Sequence, residues 1–163
     1  MEMLNVLLLS KYFPPRVGGV PNYYANLLSH LKKTKVTVIT ETYESKERSE
    51  FSDVAFNHKI IRVEFIPEFM QLQVKFNWFL SLMKMIFLII KVGYINKINI
   101  IIVGQVQMYF LLAAYVASII TRKPYLLILH GEEIPQIYLR SNIIVRYLYL
   151  RAHGSICNSN FTA

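Results

Sequence analysis

A glycine-bearing loop near the start of the sequence has the composition of an anion-binding loop. Gly18 and Gly19 lie between an unbroken apolar run, Val6–Leu9, and a segment with helical spacing that begins near Pro21. A loop between a strand and a helix presents unpaired backbone N–H groups at the helix N-terminus, where phosphates bind. The loop matches neither the dinucleotide fingerprint nor the phosphate loop Gly-x-x-x-x-Gly-Lys. Phosphate binding and a simple tight turn therefore both stay open for the two glycines.

Composition and charge limit the class of partner. The 163 residues suffice for one domain with a core, and the hydrophobic fraction of 54% exceeds the usual ~45–50%. The net charge of +8 is uneven, because residues 69–163 hold nine basic residues against only Glu132 and Glu133. This asymmetry predicts an anionic partner, either a phosphate-bearing substrate or an anionic lipid surface. The basic residues are scattered singly among aliphatic ones, which argues against a nucleic acid.

The compartment is predicted from the cysteine count and the N-terminus. The single cysteine, Cys157, excludes an internal disulfide framework, fits a reducing compartment and has the character of an inert small hydrophobic residue. Glu2 stands where a signal peptide carries basic residues, and no small-residue cleavage site follows. We therefore predict a cytoplasmic location, with peripheral contact at the inner face of a membrane.

The order of the predicted elements indicates an α/β fold. Strands are predicted at Val6–Leu9, Val36–Thr40, Ile60–Ile66, Ile98–Val103, Tyr125–Leu129 and Ser155–Cys157. Helices are predicted after Gly19, at Phe69–Gly93, at Tyr109–Ile120 and at Ile143–Arg151. The polar segment Glu41–Asn57 is predicted to be a mobile surface excursion with solvated charges. Strands that alternate with helices predict a doubly wound, mostly parallel, Rossmann-like sheet with right-handed crossovers.

Two long apolar segments require separate interpretation. Residues 98–121 carry no charge, but Asn99, Gly104 and two glutamines divide them, which favours a strand and a helix over a transmembrane helix. The segment Phe69–Gly93 is apolar around most of a helix, with Lys84 and Lys91 on one face. It is either a helix packed on the sheet or a basic, aromatic helix whose two lysines face a membrane surface.

In this order, four segments resemble the N-terminal half of retaining GT-B glycosyltransferases of the family 4 type. The segments are Tyr12–Val20, Lys35–Thr40, Lys123–Gly131 and Ile156–Ala163. The resemblance implies that residues 1–163 form a single Rossmann-like, acceptor-side domain. It also implies that the nucleotide-sugar pocket lies in a C-terminal donor domain that this sequence does not contain.

The resemblance also implies roles for individual residues. Gly18 and Gly19 would approach the donor diphosphate or the acceptor in the cleft, and Arg16 would either meet a phosphate or remain solvated. His130 would approach the transferred sugar, or serve only as a hydrogen-bonded histidine at a strand end. For His153, a structural role is favoured.

Glu132 and Glu133 would orient sugar hydroxyls, or cap the following helix. Enzymes of this family type generally need no metal, so no cofactor is expected and a nucleotide-sugar serves as co-substrate. His130 with these two glutamates is too sparse for a metal site.

Three functions remain open at this stage. The first is a hexosyltransferase domain acting on a lipid-linked or polysaccharide acceptor, inactive without its C-terminal counterpart. The second is a non-catalytic subunit or adaptor that binds a partner domain through its open cleft face. The third is an ordinary doubly wound nucleotide-binding protein that uses the Gly18–Gly19 loop alone.

Overall fold

Six parallel strands form the centre of the structure, a computed structural model that describes residues 3–43, 45–64, 75–131 and 143–158. The strands are β1 (Leu4–Leu9), β2 (Thr34–Glu41), β3 (Lys59–Val63), β4 (Ile100–Val103), β5 (Tyr125–Leu129) and β6 (Ser155–Cys157). The described helices are α1 (Gly19–His30), α2 (Lys46–Asp53), α3 (Lys75–Ile95), α4 (Met108–Thr121) and α5 (Ile143–Leu150).

The strand order is β3-β2-β1-β4-β5-β6, and every pairing is parallel. Val6 of β1 is opposite Val36 of β2 on one side and Ile100 of β4 on the other. The chain reverses the direction of strand addition between β1 and β4, so the crevice of a doubly wound sheet lies at their carboxyl ends. The predicted Rossmann-like fold is confirmed.

Alternating side chains of the buried strands face two separate cores. Val6 and Leu8 of β1 pack with Tyr24 and Leu28 of α1, on one face of the sheet. Leu7 and Leu9 belong to the larger core on the other face, together with buried residues of α3, α4 and α5. A strand that is covered on both faces has apolar side chains on both, so its sequence is a continuous apolar run. This is why the strands could be predicted from the sequence.

The structure corrects one predicted element. The segment Glu41–Asn57 contains α2 rather than only a surface excursion. The Ser45 hydroxyl accepts a hydrogen bond from Arg48 N at 3.2 Å and caps the helix, and the Ser49 hydroxyl accepts from Tyr43 N at 3.0 Å. These local polar contacts stabilise the helix, although its sequence has no apolar stripe.

The uncharged segment 98–121 is divided into β4 and α4, so the rejection of a transmembrane helix there is confirmed. The end of the predicted third strand, up to Ile66, and the start of the predicted helix from Phe69 lie outside the described residues. β6 is an edge strand, and Cys157 is half-buried in it.

Two buried tyrosines predict a loss of stability at alkaline pH. Burial raises the pKa of Tyr109 and of Tyr125 to about 12, above the ordinary value of 10. A pKa that is higher in the folded state stabilises the fold fully below pH 10, and this contribution is lost as the pH rises towards 12. We expect the urea midpoint to fall between pH 10 and 12. The Tyr125→Phe variant should show a shallower fall, although it starts from a lower midpoint because the hydroxyl donates to the Leu148 carbonyl. An equally steep fall in the variant would contradict the assignment.

Candidate active site

The loop after β1 is held at the carboxyl edge of the sheet by backbone contacts to two neighbouring strands. Ser10 N donates to Ile39 O at 3.1 Å, and Gly104 N donates to Leu9 O at 2.8 Å. Lys11 N donates to the side-chain oxygen of Gln105 at 3.0 Å. The loops that follow β1 and β4 are therefore joined where the strand order reverses.

The N-terminus of α1 lies at this edge of the sheet. Asn22 N donates to Gly18 O at 3.1 Å, which begins the helix, and Pro21 occupies its first turn with no N–H to satisfy. The first N–H groups of any helix lack intrahelical acceptors and carry about half a positive charge. Gly19 is exposed, and a Cβ at this position would meet no atom within 4 Å. The predicted loop therefore provides donors with open space beside Gly19.

Arg16 is stacked on aromatic rings rather than fully solvated. Its guanidinium carbon lies 4.3 Å from the centre of the Tyr12 ring and 5.4 Å from that of Tyr43. Cation–π contacts at such sites contribute roughly 0.5–1 kcal/mol and hold the planar group in place. Phosphate contact by Arg16 stays a prediction.

His130 follows β5 and lies in a network formed by three other segments. Its Nε2 is 3.0 Å from Gly104 O and 3.0 Å from Tyr24 Oη, and its Nδ1 is 3.1 Å from the amide nitrogen of Asn158. The Tyr23 ring stands edge-on to the imidazole, with 5.2 Å between ring centres. Because Tyr24 is fully buried in the first turns of α1, this network places His130 at the same edge as the α1 N-terminus.

The partners of His130 determine which ring nitrogen carries the proton. A backbone carbonyl only accepts, so the contact to Gly104 O requires the proton on Nε2. The Asn158 amide nitrogen only donates, so Nδ1 is the acceptor. In this tautomer the Nδ1 lone pair faces the exposed amide of Asn158, and Nε2 is directed to the buried carbonyl.

Gly131 follows with φ 104°, a backbone conformation that favours glycine. Glu132 and Glu133 lie outside the described residues, and their role in orienting a sugar stays a prediction. Among the residues that the structure describes, no group of three His, Cys, Asp or Glu side chains is arranged to hold a metal ion. His153 Nδ1 accepts from Tyr125 N at 3.4 Å, a contact typical of a structural histidine.

Lys84 and Lys91 lie on α3, away from the His130 network. Lys84 lines a cleft of about 320 Å³ with Glu64 and Tyr109, between the end of β3, the middle of α3 and the start of α4. Lys91 is exposed seven residues, or about two turns, further along α3. Lys84 and Lys91 therefore lie on the same face of α3, as predicted, and neither lies at the Gly18–Gly19 loop.

Three residues of the site were not predicted from the sequence: Tyr24, Gly104 and Asn158. Tyr24 donates from its hydroxyl to Gly104 O, 80 residues away, and contacts His130, 106 residues away. In the sequence, Gly104 indicates only an interruption between a strand and a helix. A glycine directly after a buried strand, together with a tyrosine in the first turns of α1, was the available signal.

Replacing Gly104 by alanine is expected to lower the free energy of unfolding by roughly 1–3 kcal/mol. The new Cβ would lie 2.8 Å from Tyr24 Cζ and 3.1 Å from Leu9 O, and the fully buried Tyr24 ring has no space to retreat. The Gly19→Ala variant is the matched control, because its Cβ meets nothing within 4 Å and should change stability by less than about 0.5 kcal/mol. Urea unfolding measures both. Equal effects of the two substitutions would contradict the close approach of Tyr24 to Gly104.

A parallel, doubly wound sheet with a helix N-terminus and a histidine at its switch point defines an α/β domain of the Rossmann-like class. Within this class the chain belongs to Glycosyltransferase Family 4, whose sequence model matches residues 17–163. The resemblance found in the four sequence segments is thereby confirmed at the level of the family.

Several solved structures share the fold at low sequence identity. A candidate UDP-N-acetylglucosamine 2-epimerase of Listeria monocytogenes is 12% identical with a TM-score of 0.62, and the alignment covers 99% of this chain and 41% of that one. UGT89C1 of Arabidopsis thaliana complexed with UDP is 13% identical with a TM-score of 0.60, covering 96% and 45%. The MnaA–UDP structure of S. aureus is 13% identical with a TM-score of 0.59, covering 98% and 39%.

No curated protein matches the sequence. The chain spans about two-fifths of the length of the solved structures it resembles. At these identities the likeness shows the fold, which corresponds to the N-terminal half of a GT-B enzyme.

Proposed function

We propose that this chain is the acceptor-side domain of a retaining, nucleotide-sugar-dependent hexosyltransferase. Its acceptor is a lipid-linked or polysaccharide glycan at the cytoplasmic face of a membrane. The family match over residues 17–163 supports the transferase class. The observation that carries the proposal is the network joining α1 to His130 at the switch point of the sheet. Two of the similar structures are complexes with UDP, which supports a uridine nucleotide as the donor class.

The α1 N-terminus supplies donors for negative charge. Glycosyl transfer from a nucleotide-sugar places developing charge on the leaving diphosphate while the sugar gains oxocarbenium character. The backbone N–H groups at Gly18 and Gly19 lie at the positive end of the helix dipole, and Gly19 leaves room for close approach. Arg16 is held nearby in the same loop by its stacking on Tyr12 and adds a full positive charge.

His130 orients the transferred sugar by accepting a hydrogen bond from one of its hydroxyls. The Nε2 proton is held by Gly104 O, so the nitrogen available to a substrate is Nδ1. A sugar hydroxyl would replace the exposed Asn158 amide as the donor to Nδ1. In this role the imidazole accepts a hydrogen bond and takes no proton from the acceptor hydroxyl, so it serves binding geometry rather than general base catalysis.

The donor pocket in this proposal lies on a C-terminal-type domain outside the sequence. Isothermal titration of the chain with UDP-sugars should therefore give a dissociation constant weaker than about 1 mM, about 4 kcal/mol of binding free energy. Micromolar binding by the chain alone would contradict the half-site proposal. Mixing with a C-terminal-type glycosyltransferase domain should produce sugar transfer that neither part shows separately. A stable complex without transfer would instead favour the adaptor function.

A further inference from the structure

The helix α3 exposes an apolar and basic face to solvent from Leu80 to Tyr94. Phe87 and Tyr94 are each 67% exposed, values that leave most of each ring in water. The residues of this face recur at spacings of three, four and seven: Leu80, Met83, Lys84, Phe87, Lys91 and Tyr94. We call these six residues the α3 outer face. At ~100° per residue they fall within one stripe of the helix.

The opposite side of α3 belongs to the core of the domain. Trp78, Leu82 and Ile89 are buried, and Tyr109 of α4 donates from its hydroxyl to Ser81 O at 2.8 Å. By length and composition alone, residues 77–95 could cross a membrane. Crossing would withdraw these buried side chains from the core, so the packing favours a helix that stays on the sheet and presents only its outer face.

The end of the neighbouring helix α4 also exposes apolar side chains. The C-terminal turns of α3 and α4 adjoin, since a Cβ on Gly93 would lie 3.9 Å from Thr121 Cγ2. Ile119 and Ile120 at the end of α4 are 60% and 51% exposed.

The charges of this helical layer are of one sign. Residues 75–131 contain no Asp or Glu, and their basic side chains include Lys84, Lys91, Lys97, Arg122 and Lys123. The nearest acidic residue identified beside the face is Glu64, which shares the cleft with Lys84 at one end. An apolar stripe with lysines along one edge fits the boundary between anionic headgroups and acyl chains, where lysine stems lie among apolar groups and their ammonium groups reach phosphates.

We propose that the α3 outer face docks the domain on an anionic lipid surface, with the helix axis lying in the plane of the interface. The lipid headgroup phosphates pair with Lys84 and Lys91, and Phe87 and Tyr94 enter the acyl boundary. An acidic protein partner is the rival occupant, but the face is a convex helix, and the cleft that Lys84 lines at one end also contains Glu64, whose charge disfavours an acidic segment. This proposal depends on exposure and charge, not on the proposed transferase function, and its test requires no sugar transfer.

The test is cosedimentation of the full chain with vesicles. Vesicles of phosphatidylglycerol and phosphatidylcholine should bind the chain, and vesicles of phosphatidylcholine alone should bind it far less. The Lys84→Gln/Lys91→Gln variant should bind the anionic vesicles about 30-fold more weakly, since each basic residue contributes about fivefold, or about 1 kcal/mol, at such a surface. The matched control is Lys32→Gln/Lys33→Gln, which removes the same charge from the turn after α1, on the other face of the sheet.

Insertion depth provides a second, independent measurement. The Phe87→Trp variant places an indole on the α3 outer face, and brominated lipids should quench its fluorescence. The one native tryptophan, Trp78, is 9% exposed on the inner side and should remain unquenched in the parent chain. Circular dichroism of every variant checks folding.

Three results would overturn the proposal. One is equal binding to neutral and anionic vesicles, and another is equal weakening by the two double-lysine variants. The third is capture of the face by an acidic protein with no binding to lipid. Quenching of the Phe87→Trp indole by anionic vesicles, lost in the lysine variant, supports it.

Discussion

Replacing Arg62 by methionine is expected to lower the free energy of unfolding by about 3 kcal/mol. The guanidinium donates from Nε to Asp53 Oδ2 at 3.0 Å and from Nη1 to Glu41 O at 3.0 Å. It also donates from Nη2 to Pro14 O in the loop before α1. The side chain is only 8% exposed, so its loss leaves a largely buried carboxylate without its partner. The expected loss is at the lower end for such pairs because Asp53 keeps 17% exposure.

A double-mutant cycle separates the ion pair from the packing of the arginine stem. Adding Asp53→Ala to Arg62→Met should cost less than the sum of the two single substitutions, because the unpaired carboxylate is then also removed. Arg62→Lys should fall between the parent and Arg62→Met, since an ammonium cannot replace the two parallel bonds that the guanidinium donates from Nε and Nη2 to the Asp53 carboxylate. Urea unfolding measures the parent and all four variants. Additive single effects, or a loss below 0.5 kcal/mol for Arg62→Met, would contradict the described geometry.

The strands were predictable because each one is a local pattern. Val36–Thr40 and Tyr125–Leu129 are apolar or β-branched runs bounded by polar residues, the pattern of strands covered on both faces. The helix α2 was not predicted because its formation depends on the Ser45 cap and on the bond that Arg62 of β3 donates to Asp53. A polar segment lacks the periodic apolar residues from which a helix is predicted, and its hydrogen bonds to distant residues leave no local pattern.

The candidate site was predictable only in part, for the same physical reason. A glycine loop and a histidine directly after strands can be assigned to the carboxyl edge as soon as the fold is known. The partners of that histidine depend on contacts over 26 to 106 residues, which no local pattern encodes. Tyr24 is the clearest case, because on α1 it has the spacing of an ordinary core residue while its hydroxyl reaches the site.

Replacing His130 by alanine is expected to lower kcat/KM of the complete enzyme by about 100-fold, or about 2.7 kcal/mol. The change removes the Nδ1 acceptor proposed to orient the sugar, and it also removes the contacts to Tyr24 and Gly104. Steady-state kinetics of the chain assembled with its C-terminal-type domain measures this effect. Urea unfolding of each variant separates it from a loss of stability.

The matched variant is His130→Asn, because an asparagine side-chain oxygen can occupy the position of the histidine Nδ1 and accept the same bond. We expect it to recover activity to within about tenfold of the parent. If His130 instead removed a proton from the acceptor, asparagine would be as defective as alanine, since an amide is not a base at neutral pH. Nitrogen-15 NMR of the imidazole provides a readout without turnover and should show the proton on Nε2. A proton on Nδ1 would contradict the donor role toward Gly104 O and with it the orienting role of His130.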